Sequence, residues 1–422
     1  MIAPTLPISL TPDPALPSRD VLLDETAVSH VLAALGPDHD AHVSACVLAR
    51  VNYQVGKSLR ATFRIVVDDQ PHTIAARMFR EGRSGDAYDR TAARAQACGD
   101  LHGVVHVPEL ESVFWLFPND RKITTLIPLL AASPPATEAP RLVAYAPEKS
   151  ATLVYVDSDE RPIAYAKVAA AYQAARDYAT YNDLLAALRP SNRWLELPVP
   201  IAYSSEFRTM WLEAVHGRRL SDSDCTDNPD DLRAFGSAVA VFHLLSAPSA
   251  PRFGRFSSSR LVGDAAVIGS VRPDVAHAVD DLARRLAATV PRDDDIVCLH
   301  GDLHPKNAIR DCDRLALIDV EDVAIGPAAA DLASVIAGFL YLHASGTLTR
   351  ARFSRIVGTF LTGYADVRPL PDAGSLRWHT AAALFIERAS RAVTRIRPLG
   401  LAHLDRLLRD AVRVLDREIE LS

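Results

Sequence analysis

Asp302 and Asn307 lie on one short stretch, His300-Gly-Asp302-Leu-His304-Pro-Lys-Asn307, between two apolar runs, Ile296–Leu299 and Leu315–Val320. Asp319 falls at the end of the second run, within Leu317-Ile-Asp319-Val-Glu321-Asp322. If the runs are strands, two carboxylates and a carboxamide converge on one turn. Hard oxygen donors of this kind suit Mg²⁺, which takes one or two carboxylates and adds substrate phosphates. A carboxylate not committed to the metal can accept a hydroxyl proton or orient the hydroxyl. D-x-x-x-x-N followed by an aspartate on the next strand is the template for phosphoryl transfer.

The elements that must position these residues can be traced along the chain. Residues 1–20 carry prolines at 4, 7, 12, 14 and 17, which predicts an extended tail, with a lead-in to residue 40. Pro134, Pro135 and Pro140 mark a linker over 131–140. Between them, Arg60–Val67 and His72–Met78 read as a hairpin around Asp68-Asp69-Gln70-Pro71. Asp86–Ala97 reads as a helix and Val113–Phe117 as a strand. After the linker the pattern returns. Tyr53 and Lys57-Ser58 recur as Tyr145 and Lys149-Ser150, each before a strand. The second strands then end in Arg77-Met78 and Lys167-Val168. This reads as a duplicated half-domain. Tyr172–Leu188 and Leu232–Leu245 read as helices, Met210–Val215 as a strand, and 329–421 as mainly helical.

These motifs resemble the aminoglycoside phosphotransferase/choline kinase family, small-molecule kinases whose pattern runs H-G-D-x-H-x-x-N, I-D, G-P and D-L-A. The chain has His300-Gly301-Asp302, His304, Asn307, Ile318-Asp319, Gly326-Pro327 and Asp331-Leu332-Ala333 in that order. The resemblance implies an α+β, two-lobed protein-kinase-like fold with a small β-rich N-lobe and a mainly helical C-lobe. Its expected divisions are an N-lobe at 141–212, a hinge at 213–217 and a C-lobe at 218–422. Residues 41–130 are left over as an N-terminal α/β cap. By the resemblance Asp302 is the catalytic base or hydroxyl-orienting residue, and Asn307 and Asp319 hold Mg²⁺. Lys167 is similar to the strand lysine that holds the α/β-phosphates of ATP, with GTP not excluded. Backbone around Glu213–Val215 is expected at the adenine. His304 is expected to orient the loop, and Asp331 to tie it down.

The phosphate-binding hairpin should lie at Ala144–Ser150, yet it has no glycine, and Glu148 stands where one is expected. Lys149 and Ser150 are candidates for phosphate contact, with a plain hairpin turn as the other reading. No glutamate occupies the helix position that pairs with the strand lysine. Asp177, on the face of Leu184 and Leu188, is the candidate, with Asp183 second. Glu321 and Asp322 either support the metal site or are solvated. Arg388, Arg391 and Arg395 share a helix face and either line an acceptor cleft or meet solvent. The acidic run Asp222, Asp224, Asp227, Asp230 and Asp231 is either a cation site or a capped loop. A protein kinase is a third and poorer reading, because D-F-G, A-P-E and the glycine-rich loop are missing. The glycine-free hairpin keeps open a catalytically weak pseudokinase that binds a partner.

Composition narrows the class. With Lys+Arg 46 against Asp+Glu 52, the net charge is −6, which gives no footprint for nucleic acid. No apolar run reaches the roughly 18 residues of a membrane span. Five scattered cysteines without C-x-x-C spacing, and no basic, apolar leader, lead us to expect a cytoplasmic enzyme. The expected partner is a small hydroxylated substrate, and the oligomeric state stays open.

Overall fold

The computed structural model describes residues 10–36, 41–132, 139–171, 173–188, 194–221, 227–292, 295–311 and 314–421. The start of the proline-rich tail, most of the linker, and Asp222 and Asp224 lie outside the described residues.

Two antiparallel sheets form the N-terminal half. The first contains β1 (Val43–Gln54), β2 (Ser58–Val67), β3 (Gln70–Met78), β4 (Val104–Val107) and β5 (Ser112–Leu116), ordered β1-β2-β3-β5-β4. The second contains β6 (Arg141–Ala146), β7 (Ser150–Val156), β8 (Pro162–Ala169), β10 (Pro200–Ser204) and β11 (Thr209–Glu213), ordered β6-β7-β8-β11-β10. In each, a helix follows the third strand: Ser84–Ala92 in the first and Gln173–Ala187 in the second. The likeness noted in the sequence thus extends beyond two hairpins to a complete strand order. Arg77 faces Arg60 across the first sheet as Lys167 faces Thr152 across the second. The hairpin turn of the first sheet works because Asp68 and Asp69 both take positive φ, as the twist of a tight hairpin requires.

Alternation decides which face each strand buries. Leu59, Ala61, Phe63 and Ile65 of β2 face a core shared with Leu16, Leu22, Val28 and Leu32 of the N-terminal segment. The opposite face brings Ala75, Val113 and Trp115 against Tyr145, Ala151, Leu153 and Val168, so the two sheets share one apolar layer. Burial of the larger aliphatic side chains among them, such as Leu153, Val113 and Val168, is worth about 1.5–3 kcal/mol each.

From Leu10 onward the segment expected to be an extended tail is packed on the protein and enters a short helix, Arg19–Leu23. Leu10 and Leu16 are buried, and Arg19 is buried beneath them. Asp13 accepts hydrogen bonds from the Tyr53 hydroxyl (2.7 Å) and the Gly56 amide (2.8 Å), and the Thr11 amide donates to Val271 (3.0 Å). Prolines at 12, 14 and 17 remove donors but leave these side-chain anchors intact, and burial does the rest.

The C-terminal half is mainly helical. Helices Pro229–His243, Ala328–Ala344, Arg350–Ala365 and Ala373–Ala383 enclose its core. Two small ladders sit on them: β13 (Ile296–Leu299) with β16 (Ala324–Pro327), and β14 (Ala308–Asp311) with β15 (Arg314–Leu317). β12 (Arg218–Arg219) and β9 (Leu195–Glu196) flank the second ladder. No helix among the described residues is long and apolar enough to cross a membrane.

Candidate active site

Asp331 organises the loop that carries Asp302. Its buried carboxylate accepts from the amides of His300 (2.6 Å) and Gly301 (3.0 Å) and lies 3.2 Å from His243 Nε2. Burial opposes its charge, but His243, His300 and the amide donors outweigh burial and hold its pKa below the usual aspartate value. Gly301 has φ +82°, and a Cβ there would sit 1.9 Å from the Asp322 carbonyl oxygen. Only glycine lets this loop lie against the turn that follows Asp319.

Asp302 is about one-third exposed (35%). Its carboxylate lies 3.6 Å from Arg391 Nη2, 3.8 Å from Arg255 Nη1 and 3.9 Å from His304 Nε2. Burial pushes its pKa up, but Arg391, Arg255, His304 and His300 more than offset this, so it stays below the ordinary value. A carboxylate this firmly ionised suits orienting a hydroxyl better than holding its proton. Burial holds His304 below its usual pKa, against the pull of Asp302.

Asn307 is 2% exposed, at the end of the turn Pro305–Asn307. Its Nδ2 donates to the Asp302 carbonyl (3.1 Å), which turns the amide oxygen away from the loop. Ala308 pairs with Leu317, and the Ile318 amide donates to the Asn307 carbonyl (2.9 Å), so the β14–β15 hairpin sets Asn307 beside Asp319. Asp319 has φ +66° and a half-exposed carboxylate. Among the described residues no group of three or more His, Cys, Asp or Glu could hold a metal unaided. One carboxylate and one amide oxygen do fit Mg²⁺, which completes its shell with water and phosphate oxygens.

Lys167 extends from β8, between Thr152 of β7 and Met210 of β11. Its ammonium pairs with both Asp319 and Glu321, and the Tyr181 hydroxyl donates to Glu321 (3.4 Å). Burial opposes the lysine charge, yet Glu321, Tyr181 and Asp319 raise its pKa well above the usual value. The expected ion pair with Asp177 is not formed. Asp177 lies 3.5 Å from Arg176 instead, and Asp183 accepts from Ser249 Oγ (2.7 Å). The aspartate is a methylene shorter than glutamate, and Glu321, just past Asp319, brings its acid from the opposite side. Burial and the nearby Glu321 push the Asp177 pKa up to about 6.

The glycine-free hairpin between β6 and β7 is held by the first sheet. Glu148 has φ +62°, a conformation that normally favours glycine. Its amide donates to Asp120 (2.8 Å), which also accepts from the Tyr145 hydroxyl (2.6 Å). Trp115 Nε1 donates to that hydroxyl (2.7 Å). The Glu148 carboxylate is fully buried against Arg77, Arg121 (2.5 Å), Arg60 (3.7 Å) and Lys122 (3.9 Å). Lys149 is exposed on the turn, and Ser150 begins β7 opposite Ala146 and Ala169.

Between the halves, the Glu213 amide donates to Val199 (2.9 Å) and the Ala214 amide to Ile163 (3.1 Å). The Val215 backbone makes no hydrogen bond among the described residues. Gly217 has φ +129°, and a Cβ there would meet the Arg310 carbonyl at 2.5 Å, so the connector turns tightly into β12.

Sequence spacing gave no signal for Arg255, which lies on a loop. Its Nη1 is 2.8 Å from Glu387 and its Nη2 is 3.6 Å from Asp322. Glu387 is buried in a π-helical stretch, Leu384–Ser390, and also accepts from Ser334 Oγ (3.1 Å). Such stretches shift the register of the side chains that follow. Of the acidic run, Asp227 pairs with Arg352 and Asp231 with Arg218, while Asn228 caps helix Pro229–His243.

Solved structures similar to this chain include the amicoumacin kinase hAmiN in complex with AMP-PNP, Ca²⁺ and Ami. It is 14% identical, with 66% of this chain and 89% of that one covered, at a TM-score of 0.48. A choline/ethanolamine kinase family protein from Mesorhizobium loti is 16% identical, covering 68% and 92%, at 0.46. The ethanolamine kinase Pv091845 of Plasmodium vivax is 10% identical, covering 70% and 89%, also at 0.46. No curated protein matches the chain. Residues 142–379 match the model of the Phosphotransferase enzyme family, a stretch that holds Lys167, the Asp302 loop, Asn307 and Asp319. That match spans more than half of the sequence, and the chain belongs to this phosphotransferase family, with its two-lobed, kinase-like α+β fold.

Proposed function

We propose that this phosphotransferase transfers the γ-phosphoryl group of ATP, or of GTP, to a hydroxyl of a small molecule. The observation that carries the reading is that the loop of Asp302 and Asn307, the turn at Asp319 and Lys167 of β8 meet through a chain of direct contacts. Asp302 accepts a hydrogen bond from the acceptor hydroxyl and aims its oxygen at the γ-phosphorus. As the new P–O bond forms, the bond to the β-phosphate oxygen breaks, and the hydroxyl proton passes to Asp302 or to the transferred group. Asn307 and Asp319 would hold Mg²⁺, which supplies positive charge to the phosphate oxygens. Lys167 holds the α/β-phosphates, with Glu321 keeping the ammonium in place, and Asp177 adds negative charge nearby. Lys149 and Ser150 border the phosphates from the hairpin, and the Glu213–Val215 backbone meets the base.

The pseudokinase alternative gains no support. The missing glycine that suggested it is matched by a Glu148 anchor that fixes the hairpin from the neighbouring sheet. The test is Asp302→Asn. Turnover is expected to fall by about 10²–10⁴-fold, while the affinity for Mg·ATP is retained. Undiminished turnover in that variant removes the assignment.

A further inference from the structure

Arginines collect on the acceptor side of Asp302. Arg391 faces its carboxylate at 3.6 Å, and Arg395 and Arg397 follow on the same C-terminal segment. Strand β1 of the first sheet packs on helix Arg391–Thr394 and brings Arg50 to the same place. Arg60 of β2 lies 3.7 Å from the Glu148 carboxylate and within electrostatic reach of Arg50 and Arg395. Four chain segments therefore supply guanidinium groups to one region, counting the loop of Arg255.

The negative charges there do not balance them. Glu387 and Asp322 are committed to Arg255, and Asp302 is shared by Arg255 and Arg391. No carboxylate among the described residues lies within ion-pairing distance of Arg50, Arg395 or Arg397. Burial, with Arg50, Arg391, Arg397 and Arg60 alongside, lowers the Arg395 pKa to about 10. Burial and neighbouring guanidiniums also hold Arg50 and Arg397 below the ordinary arginine value. Arg395 is partly buried and Arg50 and Arg397 are exposed, so solvent screens part of this repulsion; guanidiniums gathered without carboxylate partners add nothing to the fold, and stability does not account for the cluster. Guanidinium forks match carboxylate and phosphate oxygens two at a time, and a bound anion would relieve the repulsion.

We propose that the acceptor is an anionic hydroxylated small molecule, a sugar phosphate or sugar acid, whose negative group is held by Arg395, Arg397 and Arg50 while its hydroxyl meets Asp302. This rests on the reading of Asp302 as the residue that faces the acceptor. It separates this chain from kinases of polycationic acceptors, because Arg391 and its neighbours would repel an ammonium group at this position. It also gives the first sheet a part in choosing the substrate, through Arg50.

The test uses the full chain saturated with Mg·AMP-PNP. Matched sugars are titrated calorimetrically: glucose, glucose 6-phosphate, gluconate and glucosamine, then ribose and ribose 5-phosphate. The phosphate or carboxylate members are expected to bind at least 10-fold more tightly than their neutral partners. The double variant Arg395→Gln/Arg397→Gln is expected to remove that preference, and Arg395→Lys/Arg397→Lys to restore part of it. Both variants are checked for Mg·AMP-PNP affinity, which should match the parent, and by thermal unfolding, which should show no loss of stability. Equal binding of neutral, cationic and anionic members overturns the proposal, as does a preference that survives the glutamine variant. Tighter binding of a ribo-oligonucleotide than of any sugar phosphate also overturns it. Mg·AMP-PNP affinity reads the phosphotransfer assignment separately, so loss of nucleotide binding would count against that assignment and not against the anion preference.

Discussion

The Glu148 carboxylate, at the tip of the hairpin that begins the family-matched region, is enclosed by Arg77 of the first sheet. Arg77 sits at the strand position that Lys167 holds in the second sheet, facing β2 as Lys167 faces β7. The same place in two sheets of one strand order thus carries a cation: in the first sheet it pairs with the hairpin of the second, and in the second with Asp319 and Glu321.

Glu148→Ala is therefore expected to leave Arg77, Arg60 and Arg121 uncompensated. Breaking a buried ion pair from one side costs about 3–5 kcal/mol, read as a lowered midpoint in urea unfolding. The Lys149–Ser150 turn also loses its anchor, so the KM for ATP should rise in whatever fraction stays folded.

Glu321 and Asp319 divide their work on Lys167, and the two variants should separate. Once Asp319 turns to the metal, Glu321 alone holds the ammonium. Glu321→Gln is expected to raise the KM for ATP by about tenfold, or about 1.4 kcal/mol, at any Mg²⁺ concentration. Asp319→Asn should instead shift the Mg²⁺ concentration needed for half-maximal turnover upward. Steady-state rates over a Mg²⁺ series distinguish the two, and identical behaviour would contradict the division.

Asp177 gives a pH signature. Burial and then Glu321 raise its folded pKa to about 6, above the usual aspartate value of 3.8. A group raised in the folded state stabilises while protonated, so its contribution is present below about pH 4 and lost as pH rises through 6. Asp177→Asn should flatten the pH dependence of stability between 4 and 6. At pH 8 it should add about 1–3 kcal/mol by denaturant unfolding, and no gain at pH 8 would refute the assignment.

Gly301→Ala should be among the most damaging single-methyl changes, since the added carbon meets the Asp322 backbone. More than about 2 kcal/mol of stability is expected to go, and turnover should fall further than ATP affinity does. Thermal unfolding alongside single-turnover rates provides the check.

The site was legible in the sequence where its parts are contiguous. The His300–Asn307 loop and Asp319 flank the short β14–β15 hairpin, so residue type and spacing suffice to place them. The hairpin of β2 and β3 was legible because two apolar runs flank the polar turn Asp68-Asp69-Gln70-Pro71. Strand β1 was not: its burial is mixed along most of its length, so no period of two appears. The partner of Lys167 was assigned to a helix aspartate because a sequence carries no distance, and Glu321 reaches the ammonium from across the cleft. Arg255 was silent for the same reason. The folded tail was hidden behind its prolines, since the Asp13–Tyr53 contact joins residues far apart in the chain.

The apolar layer between the two sheets has a consequence for where the protein begins as a physical object. Trp115, Val113 and Ala75 cover Tyr145, Leu153 and Val168, and β1 and the tail reach on to helix Arg391–Thr394 and Val271. The stretch that inheritance defines, 142–379, is therefore shorter than the stretch that must cohere. A gene trimmed to the former would encode a kinase with one wall missing, its greasy side open to aggregation rather than to nucleotide.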